Sequence, residues 1–250
     1  MKSISIVTLC HNYLPYTKQC VESVIENCGF LQKDWEYFLI NNGSTDGTKE
    51  YLDDIKKRYS NVKVIHLDSN EGCSARNHGI LNAEGKCIVT LDNDMVVGKL
   101  AIKKMYYELE NKNSIGAISF TGTNYVNEWN DILKESPWCY VDCLPTACFA
   151  VRKKIINLVG GIDEMFNPMY GGDADLSFKI KQCGYSLYKT PLNVLNLMAD
   201  TKLDVLGGPE GVERNRKDHW DKLINKWDCE KENIFEVYRN VVLRRLLSNN

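Results

Sequence analysis

No run of apolar residues in this chain approaches the ~20 needed to cross a bilayer, and neither sign of charge dominates it. Thirty-one Lys+Arg stand against 33 Asp+Glu, a net charge of −2. That balance lacks the basic excess of a nucleic-acid binder, so no nucleic-acid partner is expected. The common phosphate-binding signatures are missing too. No G-x-G-x-x-G follows a strand and no G-x-x-x-x-G-K-[ST] occurs, which disfavours dinucleotide dehydrogenases and P-loop NTPases. Without a G-x-S-x-G elbow the α/β-hydrolases also fall away. There is no internal repeat, and 44% hydrophobic with 26% charged residues excludes a disordered or collagen-like chain. Met1-Lys2-Ser3 leads straight into a strand-like Ile4-Ser5-Ile6-Val7 with no h-region, so no secretory leader is expected and the expected compartment is the cytoplasm.

Ten cysteines are present and none forms a C-x-x-C pair. The nearest approach to metal spacing, Cys139-x3-Cys143-x4-Cys148, lacks the matched pairs of a zinc site. A disulfide framework does not suit a chain of this size without an export signal. The cysteines are read as reduced, small hydrophobes.

What the chain does contain is an alternation of short apolar strands and amphipathic helices. Strands are predicted at Ile4–Leu9, Tyr37–Ile40, Val62–Leu67 and Cys87–Leu91, with helices at Thr17–Cys28, Thr48–Tyr59 and Ser74–Asn82 between them. Such a pattern predicts βαβ units and a mainly parallel sheet covered on both faces, an α/β architecture. Beyond Leu100 the pattern loosens. Helices are predicted at Ala101–Glu110, Lys153–Val159 and Asp175–Cys183, strands at Ile115–Phe120, Cys148–Val151 and Tyr185–Lys189, and an irregular stretch at Tyr125–Cys139. Leu203–Asn215, with Gly207-Gly208-Pro209 and Gly211, has no periodicity and reads as a mobile loop. Asp218–Trp227 and Ile234–Leu247 close the chain as helices. The last is amphipathic and basic: packing on the parent domain is one reading, and peripheral docking at the inner face of a membrane or homodimerisation is the other. The organisation expected is one domain over residues 1–205, split into a nucleotide-binding half (1–94) and an acceptor-binding half (95–205), followed by a loop and helices over 206–250.

An α/β sheet gathers ligands at the carboxyl ends of its strands. Those ends carry Cys10-His11-Asn12, Asn41 to Thr48, Asp68 to Gly72 leading to Arg76-Asn77, and Asp92-Asn93-Asp94. Turns and helix caps use the same residue types, and Ser44 or Asp46 makes a natural N-cap. Asp92-x-Asp94 is different. Carboxylates at i and i+2 on one side repel unless a cation sits beside them, and an oxygen-only set favours Mg²⁺ or Mn²⁺ over zinc. Arg76 is suited to bidentate contact with phosphates of the same ligand. A second acidic cluster, Asp173-Ala174-Asp175, opens a helix after Gly171-Gly172. One carboxylate there is read as an N-cap and the other as a general base.

Taken in order, these segments resemble the inverting, GT-A-fold nucleotide-sugar glycosyltransferases of family 2. The likeness runs roughly from Ser3 to Asp200 through Ile6–Asn12, Asn41–Thr48, Asn70–Gly79, Leu91–Asp94, Gly160–Phe166 and Gly172–Leu176. The resemblance implies a Rossmann-like GT-A fold with a C-terminal helical extension. It implies transfer of a sugar from a nucleoside-diphosphate sugar, a UDP-sugar being the expected donor, to a hydroxyl of a glycan, lipid-linked or protein acceptor. Carried over by position, it assigns Asp94 to a Mn²⁺ or Mg²⁺ ion and Asp92 to the metal's outer shell or the ribose. Cys10, His11, Asn12, Asn41, Arg76, Asp92 and Asn93 become donor-binding residues, and Asp173 the base, with Asp175 as its alternate.

Three positions depart from the family pattern. Asn41 replaces an Asp that accepts from uracil, and Gly172 replaces an acidic residue before the base. No His follows the strand after the base, where the family often has a metal ligand; Asn196, Asp200 and His219 are the substitutes available, His219 also reading as a packed helix residue. Two other functions remain open on sequence grounds: a non-catalytic sugar- or nucleotide-binding module, and a sugar-phosphate nucleotidyltransferase. The latter usually opens with a Gly-rich loop carrying Arg and Lys, which Cys10-His11-Asn12-Tyr13 does not provide.

Overall fold

A computed structural model describes residues 2–28, 34–125, 132–133, 139–197 and 201–227. The Ile234–Leu247 segment and Asp200 lie outside the described residues. The first half alternates as its apolar pattern predicts: β1 (Ile4–Cys10), α1 (Leu14–Asn27), β2 (Trp35–Asn42), α2 (Thr48–Arg58), β3 (Val62–Leu67), a 3₁₀ turn at Cys73–Arg76, α3 (Asn77–Asn82) and β4 (Cys87–Asp92). β1 pairs in parallel with β2 and with β4, and β2 in parallel with β3.

Period-two alternation divides the sheet into two buried faces. Ile4, Ile6, Tyr37, Leu39, Val89 and Leu91 point to one, packed under Val21, Val24, Leu52 and Ile55 of α1 and α2. Val7, Phe38, Ile40 and Ile88 point to the other, against Ile80 of α3. Gly79 lets α3 approach that closely: a Cβ there would stand 2.6 Å from the Val7 Cγ1.

The second half extends the sheet and introduces two strands that run against the rest. After β5 (Met95–Val97) and α4 (Ala101–Asn111) come β6 (Ile115–Ser119), β7 (Asn124–Tyr125), β8 (Ile132–Leu133), β9 (Tyr140–Val141) and β10 (Cys148–Arg152). They are followed by α5 (Lys153–Val159), α6 (Gly172–Gln182), β11 (Ser186–Lys189) and β12 (Val194–Asn196). The eight-stranded sheet has the order β3-β2-β1-β4-β10-β6-β11-β9, and β10 runs antiparallel to both β4 and β6. β6 and β11 pair in parallel and run with β1 to β4, so the sheet is mainly parallel as expected, with β10 and β9 antiparallel within it.

The segment read as a mobile loop, Leu203–Asn215, is instead helical. α7 spans Thr201–Leu206 and α8 spans Pro209–Trp227. Gly207 and Gly208, at φ 75° and 90°, break the helix and Pro209 restarts it, as proline does at a first helical position. The face of α8 that turns inward carries Gly211, His219, Leu223 and Trp227, residues four or eight apart. A helical stripe begun by glycine and histidine carries little hydropathy, so its period is hidden. Leu223 and Trp227 pack on Phe166 and Phe178 in a third apolar cluster beneath α6. No helix among the described residues is long and apolar enough to cross a membrane.

The cysteines largely join the core. Cys10, Cys20, Cys28, Cys87, Cys143 and Cys148 are buried thiols, and burial pushes Cys20, Cys28, Cys87, Cys143 and Cys148 up to about 12.

Candidate active site

The loops after β1 and β2 are built largely from one another. Asn12 takes a left-handed conformation at φ 54°; its amide donates to Ser44 Oγ at 3.0 Å and its Oδ1 accepts from the Thr45 amide at 2.8 Å. Asp46 caps two helices at once, accepting from the Leu14 amide at 2.8 Å and the Thr48 hydroxyl at 2.6 Å. Burial would raise the Asp46 carboxyl; these donors outweigh it and hold it below its ordinary value. The N-cap of α2 is Gly47 rather than Ser44 or Asp46, but Asp46 just before it bonds the first amides of both helices, and the scaffold it makes frames a cleft.

That cleft, of about 220 Å³, opens at the carboxyl ends of β1, β2 and β4. Asp92, Asp94, Arg76, His11 and Asn93 all line it, so five of the residues singled out in the sequence come together. Arg76 is 4% exposed, and its Nη2 donates to Asp92 Oδ1. Burial pushes the guanidinium below its ordinary value, while Cys73, Asp173 and Asp94 pull it back up. His11 Nδ1 donates to the Asn42 carbonyl at 2.7 Å, which fixes the orientation of the ring. Asn93 turns its amide inward to the Asn12 carbonyl at 2.9 Å and Thr17 Oγ1 at 2.7 Å, bracing the Asp92–Asp94 turn against α1.

Five sequence candidates do not line the cleft: Cys10, Asn12, Asn41 and the two base candidates Asp173 and Asp175. Cys10 is fully buried in the core. Asn12 uses its side chain on the Ser44–Thr45 loop. Asn41 is 2% exposed; its Oδ1 accepts from the Ser44 amide at 3.1 Å and its Nδ2 lies 3.2 Å from His66 Nδ1. Its amide is thus spent inside the protein rather than offered to a base. The neighbouring Asn42 lines the cleft in its place, holding the Glu71 amide at 2.8 Å and Asn70 Oδ1 at 2.9 Å.

Asp173 lies in the first turn of α6, where a carboxylate suits the helix dipole. Its Oδ1 accepts from the Thr146 amide at 3.1 Å and the Thr146 hydroxyl at 2.5 Å. It is an electrostatic neighbour of Arg76 and Cys73, both of which line the cleft. Burial pushes the Cys73 thiol up to about 11, with Arg76 opposing and Asp173 reinforcing. Asp175 has a different setting. It is fully buried, paired with Lys179 at 2.8 Å and Lys226 at 2.7 Å, and it accepts from the Trp227 indole at 3.0 Å. Lys226 also reaches Asp163 at 2.6 Å, so Asp175 anchors the end of α8 under α6. Asp175→Ala is expected to cost about 3 kcal/mol by leaving two ammonium groups against a dry site, seen as a Tm lower by roughly 10 °C. An unchanged Tm would remove the anchor role.

Of the substitutes for the missing histidine, His219 is excluded by position. It is 1% exposed, its Nδ1 lies 2.5 Å from the Met169 carbonyl, and its ring meets Phe166 edge-on at 6.1 Å. Asn196 ends β12, whose register places it beside Met95, and the next amide, Leu197, donates to the Asp94 carbonyl at 2.8 Å. Sequence reasoning missed Lys202 of α7 and the Pro168-Met169 turn, which line the cleft together with Val205 of α7. The Tyr13 hydroxyl donates to Asp204 Oδ2 at 2.6 Å, which ties α7 to the start of α1.

A mainly parallel, mixed sheet flanked by helices, with two carboxylates and an arginine meeting beyond the end of β4, is the architecture of the GT-A class of glycosyltransferases. Residues 5–158 match the profile of Glycosyl transferase family 2, and the chain belongs to that family. It is 30% identical over 125 residues to the glycosyltransferase GlyG of Streptococcus pneumoniae serotype 4, covering 50% of this chain and 39% of the relative. It is 32% identical over 124 residues to a poly(ribitol-phosphate) beta-glucosyltransferase of Bacillus spizizenii, covering 48% of this chain and 19% of that one. The match thus spans less than half the length of either relative. Among solved structures, GalNAc-T7 with UDP, GalNAc and Mn²⁺ superposes with a TM-score of 0.67 at 17% identity, over 92% of this chain and 57% of that one. The mannosyltransferase PcManGT of Pyrobaculum calidifontis, in complex with GDP-Man and Mn²⁺, gives 0.61 at 16%, over 75% and 54%. At such identities the likeness establishes the shared fold.

Proposed function

We propose that this chain transfers a sugar, with inversion, from a nucleoside-diphosphate sugar to a hydroxyl of a glycan, lipid-linked or protein acceptor, in a reaction that depends on a divalent cation. The observation that carries the reading is the meeting of Asp92, Asp94 and the buried Arg76 in one cleft at the end of β4. Two carboxylates offer oxygen alone, and among the described residues no group of three or more His, Cys, Asp or Glu assembles a closed metal site. That donor set fits Mg²⁺ or Mn²⁺, which take few protein carboxylates and fill their shells with water and substrate phosphate. Asp94 and Asp92 would hold the ion; when bound, it supplies positive charge to a departing diphosphate.

The remaining work falls to side chains. Asp173 takes the proton of the acceptor hydroxyl as that oxygen attacks the anomeric carbon, and the bond to the diphosphate breaks with its electrons leaving on the phosphate. One base suffices for a single displacement, and Asp175, buried on two lysines, is not needed as a second. Arg76 and Lys202 offer cations to the phosphates. The base-binding end falls to His11 and Asn42, with Asn41 closed off, so both uridine and guanosine diphosphates belong in any donor panel. Lys202→Met is expected to raise the donor KM about tenfold, the scale of one hydrogen bond to a charged group. An unchanged KM for every donor turned over would remove Lys202 from the site.

The test of the whole reading is nucleoside-diphosphate release from UDP-glucose, UDP-N-acetylglucosamine, UDP-galactose and GDP-mannose with Mn²⁺. Metal-dependent nucleotide binding without release from any of them would favour a binding module instead.

A further inference from the structure

We propose that Thr146 is the positioning residue of the base, fixing Asp173 by one oxygen so that the other receives the proton. This rests on the reading of Asp173 as the base. Both donors of Thr146, amide and hydroxyl, fall on the same atom, Asp173 Oδ1, at 3.1 and 2.5 Å. Two bonds to one oxygen fix both the rotamer and the plane of a partly buried carboxylate at a helix start, and they leave Oδ2 to the acceptor.

Thr146 is itself held where it must be. It is 5% exposed, and its carbonyl accepts from the Thr90 hydroxyl at 2.7 Å within the buried interior. The next carbonyl, that of Ala147, accepts from the Asp92 amide at 2.9 Å. The peptide that grips the base is thus bonded to β4 at Thr90 and at Asp92, the residue that pairs with Arg76. Through Thr146 the proton acceptor on α6 is tied to the strand end that carries the phosphate-binding charges, 81 residues apart in sequence between Asp92 and Asp173. Pre-setting a base at this precision is how a fold converts a bimolecular proton transfer into an intramolecular one. Nothing in the local sequence Leu144-Pro145-Thr146-Ala147 announces the role, because it depends on a contact 27 residues away.

Thr146→Val keeps the side-chain volume and the amide bond but deletes the hydroxyl donor. In the full-length protein, kcat for nucleoside-diphosphate release from the same four donors with Mn²⁺ is expected to fall about tenfold to a hundredfold, the scale of a hydrogen bond to a charged group. The donor KM is expected to stay, and Thr146→Ser to restore the rate. A structural role alone would lower the Tm and move kcat and KM together, with no rescue by serine. Thr146→Val with wild-type kcat, beside an inactive Asp173→Asn, overturns the positioning role and spares the base. An Asp173→Asn variant of full activity overturns the base itself. A crystal structure of Thr146→Val reads the same point without turnover: the Asp173 carboxylate is expected to turn away from residue 146, and a carboxylate left in place overturns the proposal.

Discussion

Asp173→Asn is expected to reduce transfer about a hundredfold to ten-thousandfold, the range a positioned general base contributes, while nucleoside-diphosphate binding with Mn²⁺ stays at the wild-type level. Asparagine has the same shape and keeps a carbonyl oxygen for the two Thr146 donors, so the loop before β10 retains its bonds. What it loses is a basic oxygen. The residue belongs to α6 and not to the strand end that carries Asp92 and Asp94, which is why rate and donor affinity separate. The loss of a negative charge from a helix N-terminus costs only about 0.3–1 kcal/mol, so the Tm should fall little. Rate measured as nucleotide release, with affinity measured by titration calorimetry, checks both halves. Unaltered turnover would move the base elsewhere. Asp175 is a poor heir, because Lys179, Lys226 and Trp227 already enclose it.

The reach and the limits of the sequence have a common physical origin. Through β4 the chain repeats buried strands and amphipathic helices, and a strand buried on both faces is a continuous apolar run that the eye finds at once. Past β4 the strands have two to five residues, and β10 pairs with β4 across a separation of 57 positions between Leu91 and Cys148. Periodicity reveals that a segment is extended but not which neighbour it adopts or in which direction, so the antiparallel placement of β10 and β9 was not legible. The acidic pair was legible because like charges at i and i+2 demand a reason.

Parity is what turns Asn41 and Cys10 away from the cleft. Tyr37, Leu39 and Asn41 share one face of β2, whereas Phe38, Ile40 and Asn42 share the face on which α3 packs. Since Arg76 directly precedes α3, Asn42 and not Asn41 turns toward the arginine. The same alternation in β1 sends Cys10 to the core with Ile4 and Ile6, and Leu9 to the cleft. That signal lay in the sequence. Thr146 and Lys202 had none, because their places depend on long-range folding alone.

Asp94→Ala is expected to abolish the metal-dependent part of nucleotide binding, and with it turnover. In the cleft, Asp92 already answers the buried Arg76, and Asp94 adds a second carboxylate within the same electrostatic field. A cation that satisfies Asp94 also offsets the charge an incoming diphosphate brings. Ligand binding stabilises a fold by mass action, about 2.7 kcal/mol at a hundredfold excess over Kd, so Mn²⁺ with UDP or GDP should raise the wild-type Tm measurably. In Asp94→Ala that rise should vanish, while the ligand-free protein still folds and shows its own Tm. Asp92→Ala makes the contrast, since it strips Arg76 of its partner in a site where the guanidinium is 4% exposed and should lower the ligand-free Tm as well. An Asp94→Ala protein that keeps the full Mn²⁺-dependent rise would mean that the ion sits elsewhere and that this carboxylate serves only the fold.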